Sequence, residues 1–110
     1  MQNWQIRYWE DGINEHSVEH WLDQLTKEQL KSVAKELKLL ERGGNSLRLP
    51  HSKTLGEGLF ELRERAYGFR IYYSFMAGFV IVLLHSGNKH TQEKDIKLAR
   101  KRLEQLKSRN

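Results

Sequence analysis

Three runs of similar length, Leu59–Ala66, Phe69–Met76 and Phe79–Ser86, follow one another with only Tyr67-Gly68 and Ala77-Gly78 between them. Two-residue connections leave no room for a crossover, so consecutive strands must pair as an antiparallel meander. Side chains alternate along a strand, so loop length also decides which face each residue joins. In the first hairpin Ala66 then faces Phe69, which sets Arg65 opposite Arg70 and Arg63 opposite Tyr72. In the second, Met76 faces Phe79, Tyr72 faces Leu83 and Arg70 faces His85. One face carries Leu62, Ile71, Tyr73, Phe75, Val80, Val82 and Leu84 and is the expected core. The other carries Glu61, Arg63, Arg65, Arg70, Tyr72, Ser74 and His85 over a floor of Ile81 and Leu83.

The flanking segments complete an α+β reading. Trp4, Ile6 and Tyr8 alternate with Gln5, Arg7 and Trp9, the pattern of a first strand, and Asp11-Gly12 reads as the turn after it. Val18, Trp21, Leu22 and Leu25 form one helical stripe. Thr26 followed by Gln29 reads as a capping box for a second helix with Leu30, Val33, Ala34, Leu37 and Leu40 on its apolar side, ended by Gly43-Gly44. Asn45–Gly58, with the chain's single proline, Pro50, is expected to be a functional loop. Asn88 or Thr91 caps a terminal helix striped with Ile96, Ala99, Leu103 and Leu106. The expectation is one domain over residues 1–110: a strand and two helices, then the meander and a C-terminal helix.

Charge narrows the partners. Nineteen Lys and Arg against 14 Asp and Glu give a formal net charge of +5. Met1–Gly43 holds six basic and eight acidic residues, Gly44–Ser86 five and three, and Gly87–Asn110 eight and three. The excess therefore sits in the last 24 residues, on a body that balances. A basic tail on a neutral body points to a polyanion or an acidic protein partner, or more simply to a solvated helix face. The absence of cysteine excludes disulfide and thiolate chemistry. No apolar run approaches the roughly 18 residues of a membrane span, so a soluble cytoplasmic domain is expected.

Three arginines, a tyrosine and a histidine on one sheet face can be a solvated surface with arginine stems lying over the floor. They can equally be an anion site, because a guanidinium offers phosphate two parallel hydrogen bonds and a tyrosine can stack on a base. No metal-ligand cluster, phosphate loop or nucleophile elbow is present, so no cofactor is expected. An enzyme with this repertoire works through Arg, Lys, His and Tyr. Such a set can cleave RNA, whose 2′-hydroxyl is its own nucleophile, by holding the backbone in line, moving protons and stabilising the phosphorane. His85 is a candidate acid or base, with nearby arginines favouring its neutral form, and a satisfied structural histidine is the alternative. His16, His20 and His51 have weaker claims.

Four segments, Leu47-Arg48-Leu49-Pro50-His51-Ser52-Lys53, Leu55-Gly56-Glu57-Gly58-Leu59-Phe60-Glu61-Leu62-Arg63, Arg70-Ile71-Tyr72-Tyr73 and Val82-Leu83-Leu84-His85, resemble the phage-derived HigB-like branch of the RelE/ParE toxin superfamily. The ending Gly87-Asn88-Lys89-His90-Thr91-Gln92-Glu93-Lys94-Asp95-Ile96, with Ala99, is similar to the ending of related addiction-module killer proteins. The resemblance covers nearly the whole chain. It implies a RelE-like fold and a type II toxin: a ribosome-dependent, metal-independent mRNA endonuclease neutralised in a hetero-oligomeric complex by a small helix-turn-helix, HigA-like antitoxin. Carried over by motif, it implies roles in catalysis for Arg63, Arg70, Lys89 and Lys53.

Arg48, Arg65, Tyr72 and His90 join as RNA contacts. Lys94, Lys97, Arg100, Lys101 and Arg102 on the terminal helix are expected to meet ribosomal RNA phosphates. The sequence departs from many HigB-like proteins in having Lys89-His90 where they carry two basic residues, and in lacking their threonine-proline before the last helix. His85 and His90 therefore both stand as proton carriers. Two other readings stay open: a ParE-like, non-enzymatic gyrase inhibitor, against which the co-facial arginines count, and a degenerate module that only binds antitoxin.

Overall fold

The computed structural model describes residues 3–10 and 17–109. The expected Asp11-Gly12 turn and His16 lie outside them. Strand β1 (Gln5–Tyr8) leads to helices α1 (Ser17–Asp23) and α2 (Lys27–Gly43), then β2 (Ser52–Gly56), β3 (Leu59–Glu64), β4 (Phe69–Met76), β5 (Val80–Asn88) and helix α3 (Gln92–Ser108). The five strands form one sheet in the order β1-β5-β4-β3-β2, with β1 parallel to β5 and the other pairs antiparallel. The α+β expectation and the meander hold. No helix among the described residues is long and apolar enough to cross a membrane.

Local chemistry sets the helix ends. The Thr26 hydroxyl accepts from the Gln29 amide and the Gln29 side chain accepts from the Thr26 amide, completing the expected capping box. Gly44 adopts φ +50°, and a Cβ there would lie 1.9 Å from the Trp4 indole. Only glycine lets α2 end against β1 in this way. At the start of α3, Asn88 Oδ1 accepts from the amides of His90 and Thr91, while the Thr91 hydroxyl donates to Asp95 rather than capping the helix.

The sheet is covered on both sides, which corrects the expectation of one core face and one open face. Under α1 and α2, Val18, Leu22, Val33 and Leu40 pack on Leu62, Ile71, Tyr73, Ile81 and Leu83. Under α3, Ala99 and Leu103 pack on Trp9, Leu59, Tyr72, Val82 and Leu84. Val82 and Leu84 have thus exchanged faces with Ile81 and Leu83 relative to the two-residue-turn reading. The cause is loop length: Met76 pairs with Val80, so the β4–β5 turn holds Ala77, Gly78 and Phe79, with the last two at positive φ. A one-residue change reverses the parity of a strand. Between Tyr72 and Tyr73 a bulge reverses it again, so His85 returns to the arginine face, opposite Tyr72 rather than Arg70.

The first hairpin slips by two residues, which leaves its faces unchanged. Arg63, not Arg65, lies opposite Arg70, and Glu61 lies opposite Tyr72. Glu64 drives the slip. Its buried carboxylate accepts from the Ala66 and Tyr67 amides and from Ser32 of α2, so the chain turns at Arg65. The expected Asn45–Gly58 loop instead contains a 3-10 turn, Gly44–Ser46, and edge strand β2.

Candidate functional site

On the α3 side the register aligns Lys53, Glu61, Tyr72 and His85 in one row across β2, β3, β4 and β5, with Arg63, Arg70 and Gly87 in the next. Glu61 is the pivot. Its side chain is 0% exposed, its Oε1 accepts from Arg63 Nε at 2.8 Å and lies 3.6 Å from Arg70 Nε, and its Oε2 accepts from Gln92 Nε2 at 2.6 Å. A buried carboxylate is tolerated when paired and hydrogen-bonded in this way. Arg63 and Arg70 stay partly open, at 27% and 14% exposure. Among the described residues Arg63 hydrogen-bonds through Nε alone, while Arg70 Nε is buried without a hydrogen-bond partner and its Nη1 makes one long bond to the Phe69 carbonyl at 3.4 Å. Their remaining Nη edges are available to an anion.

Lys53 is exposed and directly opposite Glu61. Lys89 is exposed beyond β5, with its amide on the Gly68 carbonyl at 2.9 Å and its stem lying over Gly68. Lys53 and Lys89 thus lie exposed on either side of the arginine pair, one on the edge strand and one past the end of β5. Arg65 is brought only to the turn, where it is exposed, because β3 ends at Glu64.

Tyr72 departs from its expected role as a base-stacking residue. It is 0% exposed beneath α3, and its hydroxyl is buried without a hydrogen-bond partner among the described residues. Burial first, and the charges of Glu61 and Asp95 next, raise its pKa well above the usual tyrosine range, with Arg70 and Arg63 pulling the other way. It stays a neutral phenol and cannot stack on a nucleobase in this conformation.

His85 is engaged at both nitrogens. Nε2 lies 2.8 Å from Asp95 Oδ1, and Nδ1 lies 3.3 Å from Arg102 Nη1. Burial lowers its pKa below 6.5 and Arg102 and Lys94 add to that, against the opposing pull of Asp95. The neutral ring must then donate from Nε2 to Asp95 and accept at Nδ1 from Arg102. Asp95 packs so closely on β5 that a Cβ at Gly87 would lie 1.9 Å from its Oδ2. His90, by contrast, is exposed, and among the described residues its ring makes no hydrogen bond.

The other expected contacts divide clearly. Arg100 donates to the Leu55 and Gly56 carbonyls, and Arg102 donates to Ser17 Oγ and the Leu84 carbonyl while lying 4.5 Å from the Trp9 ring centroid. Lys94, Lys97 and Lys101 are exposed on α3. Arg48 closes its own turn on the Asn45 and Leu47 carbonyls, and its charge acts on Tyr73, on the opposite side of the sheet. His51 bonds Glu36 and His20 bonds Gln24. No group of three or more His, Cys, Asp or Glu among the described residues can hold a metal ion. A groove of about 930 Å³ lies elsewhere, between β1 and the end of α3, lined by Tyr8, Trp9, Val80, Leu106 and Arg109 among others.

Sequence reasoning placed Glu61 on the arginine face but missed that it pairs with both arginines. The spacing of Glu61 and Arg63, two apart on one strand, is the signal that marks them as neighbours. Gln92, Asp95 and Arg102 left no such signal, because they reach the sheet from α3.

This is a basic α+β domain with the fold of the RelE toxin. A double arginine-to-alanine variant of E. coli RelE in the free state superposes with a TM-score of 0.58 at 16% identity, covering 86% of this chain and 96% of that one. The isolated E. coli RelE toxin gives 0.54 at 17% identity, over 83% and 94%. By sequence, residues 20–104 match the family described as phage derived protein Gp49-like (DUF891), and the chain belongs to that family. It is also 33% identical over 86 residues to an uncharacterized protein of Haemophilus influenzae, covering 76% of this chain and 83% of the relative.

Proposed function

We propose that this protein is the toxin of a type II toxin-antitoxin system, of the HigB-like kind, and that it inhibits translation in the cytoplasm by cutting mRNA on the ribosome. The observation that carries the reading is the pair of arginines, opposite one another on β3 and β4, with their Nε edges turned toward a buried carboxylate and their Nη edges largely open. The RelE fold and the Gp49-like family support it.

The chemistry needs no resident cofactor. The 2′-oxygen of one nucleotide attacks the adjacent phosphorus as its proton leaves. The bond from phosphorus to the 5′-oxygen breaks, giving a 2′,3′-cyclic phosphate and a 5′-hydroxyl that takes up a proton. Arg63 and Arg70 bind the two non-bridging oxygens and meet the charge that grows on them in the phosphorane, while Lys89 and Lys53 add positive potential. His90 is the freer proton carrier, since both nitrogens of His85 already have partners. His85 is assigned to holding α3 against β5. Lys94, Lys97 and Lys101 grip ribosomal RNA, and a helix-turn-helix antitoxin of HigA-like kind closes the system by forming a complex with the toxin.

Primer extension on a translated message after brief induction tests the reading. Wild type is expected to produce discrete cuts within the coding sequence, and Arg70→Ala to produce none while remaining folded. An intact message together with loss of gyrase supercoiling by the purified protein would replace this reading with the ParE-like one.

A further inference from the structure

We infer that Glu61 is the positioning residue of the arginine pair. Its buried carboxylate, steadied by Gln92, accepts a hydrogen bond from Arg63 Nε and attracts Arg70 Nε at ion-pair distance, so that the Nη edges of Arg63 and Arg70 address one phosphodiester in a single orientation. The inference rests on the endonuclease reading above and adds a residue and a constraint to it.

Arg63 and Arg70 are directly paired across β3 and β4, and like charges in that relation repel. An unanchored pair would splay and lose the shared edge that an in-line displacement needs. Glu61 resolves this through one oxygen, Oε1, set 2.8 Å from Arg63 Nε and 3.6 Å from Arg70 Nε. Its other oxygen is held by Gln92, from the first turn of α3, at 2.6 Å. The carboxylate therefore has both ends fixed, one by the sheet and one by the helix.

A purely structural ion pair would consume the forks of the guanidiniums. Here Glu61 meets the guanidiniums at Nε and leaves their Nη edges largely open, and within the trio one negative charge against two positive ones leaves a positive excess for an anion. The same geometry separates binding from turnover. Replacing the carboxylate by an amide removes the one negative charge from the site, which favours an anion, but leaves one acceptor oxygen where there were two, so Arg63 Nε and Gln92 Nε2 can no longer both be held and the electrostatic pull on Arg70 is lost. A role confined to stability would weaken binding and cleavage together.

The test uses the full chain as wild type, Glu61→Gln, Glu61→Asp and Gln92→Ala. Single-turnover cleavage is measured on translating ribosomes, and affinity is measured with ribosomes carrying a 2′-O-methylated message that cannot be cut. Glu61→Gln is expected to cut about 10- to 100-fold more slowly, with affinity unchanged or a few-fold tighter. Glu61→Asp is expected to recover part of the rate, and Gln92→Ala to lose roughly 3- to 10-fold. Glu61→Gln cutting at the wild-type rate, or losing rate and affinity in parallel, would overturn the inference. Should Glu61→Gln not fold, Gln92→Ala decides, because its side chain sits at a partly exposed helix start; an unchanged rate there would overturn the inference. Wild-type protein that leaves the message intact instead sinks the endonuclease reading.

Discussion

Two pairs of arginines lie on the α3 side of the sheet, and they are held in opposite ways. Arg100 and Arg102 donate their Nη groups to backbone carbonyls, Arg102 adding Ser17, His85 and the face of Trp9, so their forks are spent on joining α3 to the sheet. Arg63 and Arg70 turn Nε toward Glu61 and leave their forks largely free. Basic residues counted in sequence look interchangeable, but the edge each one offers decides whether it is mortar or a site. The terminal helix supplied most of the net charge, yet its arginines are the less available ones.

The largest expected effect tests the open pair. Arg63→Lys and Arg70→Lys keep the charge and lose the planar fork, so each is expected to slow single-turnover cleavage by about 10²-fold or more with melting temperature little changed. Equal activity of the lysine variants would show that charge alone suffices and would erase the contrast with Arg102. Next comes the closed pair. Arg102→Ala removes several hydrogen bonds and a cation–aromatic contact from a part-buried network and is expected to cost roughly 2–3 kcal/mol, seen as a thermal shift of about 10 °C, while the folded fraction still cuts. A stable Arg102→Ala protein that has lost cleavage would reverse the two assignments.

His85 supplies a smaller, pH-dependent effect. Its folded pKa lies below 6.5 because it is buried, so over the interval between those values the unfolded chain holds more protons than the folded one. Stability is therefore expected to fall as pH drops through about 6.5 and to level off below the folded pKa. Denaturant melts of wild type and His85→Gln across that range check this, the variant showing the shallower decline. The smallest effect concerns the exposed lysines. Replacing Lys94, Lys97 and Lys101 by Ala is expected to weaken ribosome binding and to flatten its salt dependence by roughly 0.7–0.9 log units per lost phosphate contact, without changing the cleavage rate at saturation.

Much of the fold was legible in the sequence, and the misses have identifiable causes. The capping box at Thr26 and the helix stripes are local signals; the box formed, and of the α2 stripe Val33, Leu37 and Leu40 face the core while Leu30 and Ala34 are exposed. Parity on β3 and β4 survived because the Glu64-bound turn shifts the register by two, which preserves faces. Parity on β5 failed between Val80 and Leu84 because one extra turn residue and one bulge each shift it by one; neither leaves a mark in the alternation of Val80, Ile81, Val82, Leu83 and Leu84, which are all apolar. Strand β2 escaped notice because Ser52-Lys53-Thr54-Leu55-Gly56 sits at a sheet edge and carries no buried apolar row. At the site, Arg63 and Arg70 could be read from their shared face. The burial of Tyr72 and the partners of His85 could not, since both depend on where α3 docks.

Arginine side-chain nitrogen NMR of the full chain, titrated with a short 2′-O-methylated RNA, tests the central claim most directly. The Nη resonances of Arg63 and Arg70 are expected to shift and sharpen as RNA is added, while those of Arg100 and Arg102 stay in place. Shifts confined to Arg100 and Arg102, with Arg63 and Arg70 unmoved, would contradict it.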